Sequence, residues 1–191
     1  MTQDVANGYD EIADAYLSAR SDIGADVISD WASDLPKGAA VVDIGAGTGW
    51  PVTQVLIDAG VRISAIEASP KLAGVFRERF PDVELACEAA ETSDFFGCQF
   101  DGAVAIGLMF LLSEAGQMAL IERVSGALNS GGRFLFSAPH QVCEWEDALT
   151  GRMSRSLGLE VYRKRLADCG MTITGSYKDT GGNFYLNSRK L

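Results

Sequence analysis

Three glycines at alternate positions, Gly45, Gly47 and Gly49, stand in the run Val41-Val-Asp-Ile-Gly-Ala-Gly-Thr-Gly-Trp50. Glycine lets the main chain approach a ligand closely, and a helix opening just after such a turn offers unpaired N–H groups to polar or anionic atoms. The chemistry this run suits is the cradling of a ligand by backbone. A dinucleotide fingerprint needs Gly-x-Gly-x-x-Gly; Trp50 occupies the third glycine's place, which disfavours a nicotinamide or flavin dinucleotide. Asp43, in the apolar stretch before the glycines, must be hydrogen-bonded if buried, and accepting backbone N–H groups would shape the turn. His140 is the only histidine. It suits proton removal near neutral pH, and equally a loop position with one hydrogen bond. Trp50, Phe110, Trp145 and Tyr185 can wall an apolar pocket; Phe110 and Tyr185 read as core.

The elements that position these residues follow from the hydrophobic pattern. Apolar runs alternate with amphipathic stretches, which points to an α/β domain with a mainly parallel sheet. Helices are expected over residues 8–19 and 22–33, with Ile12, Ala15, Tyr16 and Ala19 sharing one face of the first. Ala39 to Ile44 is a continuous apolar run closed by glycines, as in a strand buried on both faces. A helix over residues 51–58 follows, with Gly60 as its cap, then a strand over 61–66. Ser69 before Pro70 is an N-cap followed by proline at the first helical position, opening a helix that ends near Phe80. Strands are expected over 83–87, 101–106 and 133–138, with a helix over 114–128 and a resetting loop over 129–132. Residues 139–158 are polar and show no regular pattern. A helix over 160–169 precedes strands over 171–177 and 183–189, joined closely enough for an antiparallel hairpin.

The run Asp43-Ile-Gly-Ala-Gly-Thr-Gly49 on a first strand resembles motif I of the class I S-adenosylmethionine-dependent methyltransferases. Glu67 at the end of the second strand continues the resemblance, as do Phe100-Asp-Gly-Ala-Val-Ala-Ile-Gly-Leu-Met109, Leu128-Asn-Ser-Gly-Gly-Arg-Phe-Leu135 and the reversed terminal hairpin. The resemblance spans nearly the whole chain. It implies a Rossmann-like seven-stranded mixed sheet of order 3-2-1-4-5-7-6, strand 7 antiparallel, with helices on both faces. It implies S-adenosylmethionine as cofactor, S-adenosylhomocysteine as product, and direct in-line displacement by a small-molecule acceptor. The cofactor-binding positions it marks are Tyr16, Asp43, Gly45, Ala46, Gly47, Thr48, Gly49, Glu67, Ala68, Ala90, Glu91, Ile106 and Leu108. Glu67 would accept the ribose hydroxyls and Asp43 would reach the cofactor's ammonium, directly or through one water. The family often has an adenine-binding Asp after strand three; Ala89 stands there, so backbone near Ala90 and Glu91 would serve. The Asn-Pro-Pro-Tyr signature is replaced by Ile106-Gly-Leu-Met109. Residues 1–35 would supply lid helices, with Tyr9 or Tyr16 closing over the cofactor, and 139–158 a substrate-side insertion within one domain, 1–191. The acceptor pocket would be walled by Tyr9, Trp50, Met109 and Trp145, with His140 as the catalytic candidate.

Composition narrows the function. The net charge of −10 disfavours a large nucleic-acid footprint. The densest basic stretch, Arg152, Arg155, Arg163, Lys164 and Arg165, reads as a solvated face. Cys87, Cys98, Cys143 and Cys169 have neither zinc nor disulfide spacing, so no metal is expected and a reducing cytoplasm is. No run is long enough to cross a bilayer. A protein or tRNA acceptor, and a binding module without turnover, are the alternatives.

Overall fold

The computed structural model describes residues 4–19 and 21–191. The chain passes through turns into α1 (Ala13–Ala19) and α2 (Ala25–Ser33). α1 begins later than its periodicity predicts: Asn7 and Gly8 both take positive φ, 51° and 86°, which no α-helix continues through, and residues 9–12 form turns, with the Glu11 N–H donating to the Gly8 carbonyl. The Asp4 carboxylate instead accepts the N–H groups of Ala6 and Gly8, at 3.1 and 2.9 Å, an Asx turn.

The body then runs β1 (Ala40–Ile44), α3 (Val52–Asp58), β2 (Arg62–Ile66), α4 (Pro70–Arg79), β3 (Glu84–Ala86), β4 (Phe100–Ala105), α5 (Glu114–Ala127) and β5 (Leu128–Ser137). It continues through β6 (Val142–Glu146), β7 (Met153–Leu157), α6 (Leu159–Asp168), β8 (Met171–Lys178) and β9 (Phe184–Lys190). The main sheet has seven strands in the order β3-β2-β1-β4-β5-β9-β8. β3, β2, β1, β4 and β5 pair in parallel; β9 is antiparallel to β5 and β8. Counted within this sheet alone, the order is the expected Rossmann-like one. Val41, Val42 and Ile44 of β1 are buried, as a strand covered on both faces must be.

One cover is α2, whose Trp31 packs with Val41, Val104 and Leu135. Its indole N–H donates to Asn187 Oδ1 at 3.0 Å. Gly102 of β4 makes room for that ring: a Cβ there would lie 2.8 Å from Trp31. The other cover is α5 with α6, where Leu120, Ile121, Val124 and Tyr162 meet Phe134 and Phe136. The Ser69 cap forms as expected, its Oγ accepting the Leu72 N–H at 3.2 Å. β5 starts earlier than expected: Leu128 pairs with Phe100, and a register shift before Gly102 absorbs residues 129–132.

Residues 139–158, expected to be irregular, contain the antiparallel hairpin β6–β7, a sheet of its own. Its turn is organised by Asp147, whose Oδ1 accepts from the N–H groups of Leu149 and Thr150 and the Thr150 hydroxyl. The basic stretch is neutralised residue by residue. Arg152 pairs with Asp4, Arg155 with Glu144, Arg163 with Glu160, Lys164 with Asp168 and Arg165 with Glu122. Among the described residues no helix is long and apolar enough to cross a membrane.

Candidate functional site

The glycine run leaves the carboxyl end of β1 with φ of 69°, 58° and 78° at Gly45, Gly47 and Gly49. L-residues rarely adopt this region, so the turn needs glycine for conformation as well as for space. Its position is fixed by the neighbouring strand. The N–H groups of Gly45 and Ala46 both donate to the Ile66 carbonyl, at 2.8 and 3.0 Å. One residue later, Glu67 reaches back: its Oε2 accepts the Gly47 N–H and its Oε1 the Ser69 N–H, each at 2.7 Å. Burial pushes the Glu67 carboxyl above the ordinary glutamate range, and the N–H groups of Ser69 and Gly47 offset only part of that. Behind the turn, Asp43 accepts the Thr53 hydroxyl at 2.7 Å.

A cavity of about 250 Å³ opens beside this turn. Nine of the expected cofactor positions line it: Tyr16, Gly45, Gly47, Glu67, Ala68, Ala90, Glu91, Ile106 and Leu108. Asp43, Ala46, Thr48 and Gly49 do not; they stand behind the turn and support it. Ala46 packs on Phe76 and Phe80, and a Cβ on Gly49 would collide with the Phe80 ring. Thr48 accepts a hydrogen bond from Arg79 at 3.2 Å.

The roof comes from the N-terminal residues. The Tyr16 hydroxyl sits over Gly47, 2.5 Å from where a Cβ would be. Tyr9 packs edge-on against Tyr16, centroids 5.6 Å apart, and its hydroxyl donates to Asp147 Oδ2 at 3.1 Å. Asp10 accepts the Ser69 hydroxyl and the Lys71 N–H, at 2.7 and 2.9 Å; with those bonds its carboxyl is held below the ordinary range. The roof is thus tied to α4 on one side and to the β6–β7 turn on the other.

A second cavity, of about 630 Å³, adjoins the first and shares Ile106, Gly107, Phe110 and Asp147 with it. Trp145 lines it, and Phe110 and Tyr185, read as core, line it too. Tyr9 lines the first cavity, whereas Met109, Trp50 and His140 line neither. Met109 is fully buried in the main core: it opens the 3-10 turn Met109–Leu111, which turns Phe110 and not Met109 to the cavities. Trp50 lines a separate cleft with Leu17, Gln54, Arg79 and Phe80. His140 lies at the sheet's carboxyl edge but lines neither cavity. Its ring packs on Phe184, centroids 4.5 Å apart, and its Nε2 is 3.1 Å from Ser176 Oγ on β8. The sequence reading missed Val5, Ala6, Asn7 and Leu149, which line the first cavity, and Asp147, which lines both. Asn7-Gly8 and the Asp147–Gly151 stretch are legible turn signals, but no local pattern tells that two turns so distant in sequence meet over one cavity.

Residues 41–132 match the family model described as a methyltransferase domain. A curated relative, demethylmenaquinone methyltransferase of Paenarthrobacter aurescens (strain TC1), is 29% identical over 82% of this chain. The chain spans 61% of that relative's length. Among solved structures, it resembles S-adenosylmethionine-bound CalS10, an amino pentose methyltransferase from Micromonospora echinaspora, with TM-score 0.73 and 18% identity over 93% of this chain and 95% of the other. It also resembles the Burkholderia thailandensis 1,6-didemethyltoxoflavin-N1-methyltransferase, bound to that substrate and S-adenosylhomocysteine. There the TM-score is 0.69 and the identity 21%, over 97% and 90% of the two chains.

Proposed function

We propose that the chain is a class I S-adenosylmethionine-dependent methyltransferase, the reading its matched domain and its fold support, and that it transfers a methyl group from S-adenosylmethionine to a small-molecule acceptor by direct in-line displacement. One observation carries this reading. The glycine turn, Glu67 and Tyr16 converge on a single cavity, and a second, wider one adjoins it across Ile106, Gly107, Phe110 and Asp147.

The residues present fit the cofactor. Gly47 leaves space that a Cβ would fill under Tyr16 and Gly45 leaves space beside Leu108, and there the methionine part is held. The ionised Glu67 keeps lone pairs for two ribose hydroxyls after accepting its two backbone N–H groups. Ala68, Ala90, Glu91, Ile106 and Leu108 line the space for adenine and ribose, and Asp43 holds the turn through Thr53. When bound, the cofactor supplies a methyl group already activated by its positive sulfur, with S-adenosylhomocysteine as product. The chain supplies orientation and exclusion of water. Of the 1–35 segment expected as lid helices, the stretch from Val5 to Ala19 acts as the lid, whereas α2 covers the sheet through Trp31 and residues 1–3 and 20 lie outside the described residues. Residues 139–158 act as the acceptor-side insertion of one domain. The paired basic stretch favours a small acceptor over nucleic acid, and four free cysteines suit a cytoplasmic setting.

S-adenosylhomocysteine is expected to bind and to raise the melting temperature by mass action. Calorimetry showing no binding at millimolar ligand, with NAD binding instead, overturns the reading. Binding without label transfer from methyl-labelled cofactor across a metabolite panel would make the chain a sensor and not an enzyme.

Two variants probe the surroundings. His140→Ala is expected to leave turnover within a few-fold of wild type, because His140 touches Phe184 and Ser176 and neither cavity; a loss of about 10²-fold or more, the lower end of general acid–base catalysis, would restore it as a base. Tyr9→Phe removes the hydroxyl that ties the roof to Asp147. At about 0.5–1.5 kcal/mol for a net hydrogen bond, release of S-adenosylhomocysteine should quicken several-fold in stopped flow, and an unchanged rate would mean that the roof opens elsewhere.

A further inference from the structure

The second cavity also carries information on acceptor chemistry, an inference that rests on the cofactor reading above. Four aromatic rings wall it: Phe110, Trp145, Phe184 and Tyr185. Phe110 and Trp145 lie side by side at the junction with the cofactor cavity, centroids 5.3 Å apart and planes tilted by 51°. Flat aromatic walls of this kind stack a flat ligand and present negative π faces to a cation.

The charge on the walls has one sign. Among the described residues, Glu146 and Asp147 are the charged residues that line this cavity, and no Lys, Arg or His does. Asp147 is spent on the hairpin turn and on Tyr9. Glu146 has no hydrogen-bond or ion-pair partner among the described residues. A third carboxylate, Asp179, stands behind Tyr185 and accepts its hydroxyl at 2.7 Å. Burial opposes its ionisation, but bonds from Asn183 and Tyr185 outweigh that and keep the carboxyl below the ordinary range. Of the neighbouring cations among the described residues, one is paired and the other stands outside the lining, behind a wall ring. Arg155 pairs with Glu144 on the hairpin, and Lys178 caps the Phe184 ring with its Nζ 5.0 Å from the centroid.

We propose that the acceptor is a planar, largely apolar molecule that carries a basic nitrogen and no acidic group, its body stacked on the face of Trp145 with Phe110 tilted against its edge and its positive end set toward Glu146. A carboxylate or phosphate entering the same space would lose its hydration with no counter-charge on the walls, and would face Glu146 as a like charge. A cationic nitrogen meets both the aromatic faces and an unpartnered carboxylate.

The test uses the whole chain saturated with S-adenosylhomocysteine and three probes that share one body: 1-naphthylmethylamine, 1-naphthalenemethanol and 1-naphthoate. Calorimetry should rank the amine first and the carboxylate last, with at least about a tenfold gap in dissociation constant between them. Glu146→Gln should weaken the amine several-fold and leave the alcohol unchanged; Trp145→Ala should weaken both. Equal or tighter binding of the carboxylate overturns the proposal, and so does the absence of amine binding at millimolar concentration. Titration of S-adenosylhomocysteine alone separates the two readings: if it binds and the ranking fails, only the acceptor class falls; if it does not bind, the cofactor assignment falls first.

Discussion

Gly47→Val abolishes S-adenosylhomocysteine binding while the protein stays folded: that is the result expected from the turn's geometry. Two independent penalties meet at this residue. Its φ is 58°, where an L-residue costs roughly 1–2 kcal/mol and a β-branched one more. A Cβ there would also lie 2.5 Å from the Tyr16 hydroxyl and 3.2 Å from the ring carbon bearing it. The backbone cannot move away, because its N–H is held by Glu67 at 2.7 Å. Tyr16 must therefore swing out, and the space beneath it fills with valine. Gly47→Ala in a Tyr16→Phe background separates the two penalties. Losing the hydroxyl removes the closest contact, so binding should return in part, short of wild type by the strain that remains. Circular dichroism and the melting curve check the fold; calorimetry reads the affinity. If Gly47→Val binds the ligand as wild type does, the cofactor sits somewhere else.

The parts of this molecule that were legible in sequence are those in which local pattern and buried environment agree. β1 reads as a strand because Val41, Val42 and Ile44 are apolar and buried on both faces. Ser69-Pro70 reads as a helix start because the cap is a contact between near neighbours. The hairpin β6–β7 was not legible because its two strands give opposite signals. β6 covers Cys143 and Trp145 and exposes Glu144 and Glu146, but β7 buries Ser154 and Ser156 and leaves Met153 47% exposed, so a rule that seeks apolar residues on the buried face finds one short strand and no partner for it. At the site, the glycine turn and Glu67 were legible because one chain segment makes the cradle and the end of the adjacent strand holds it. Met109 was misplaced by one residue of phase: in a tight 3-10 turn neighbouring side chains diverge, and Phe110 received the cavity. His140 was placed on the correct edge of the sheet, but which way its ring falls depends on Phe184 and Ser176, which come from β9 and β8. Contacts between segments so far apart leave no trace in local spacing.

The second large effect concerns Glu67, and its signature is the way it depends on pH. Glu67→Ala should weaken S-adenosylhomocysteine binding by about 1.5–3 kcal/mol, the range for hydrogen bonds to a charged group, or roughly 10- to 150-fold. Glu67→Gln is no mild substitute. Both carboxylate oxygens accept backbone N–H groups, so an amide must turn its own NH2 against the N–H of either Gly47 or Ser69. In the wild type, burial holds the carboxyl above the ordinary glutamate range. As the pH falls through that raised value the group takes up a proton, one oxygen becomes a donor, and acceptors for the ribose hydroxyls are lost; the dissociation constant should rise. Stability of the ligand-free protein moves the other way over the same window. The folded state then holds the Glu67 proton more tightly than the unfolded chain, so this group's contribution falls as pH rises from the ordinary glutamate value through the raised one. Asp10 and Asp179, with lowered values, act in the opposite sense: their contribution is present above the ordinary aspartate value and is lost at lower pH. Mild acidification should therefore weaken the ligand without unfolding the protein. Paired titrations of wild type and Glu67→Gln check this, with the ligand affinity and the melting temperature read at each pH. The wild type should show the rise in dissociation constant and the variant a flat, weak profile. If the two profiles run parallel, some other group carries the proton and Glu67 does not hold the ribose.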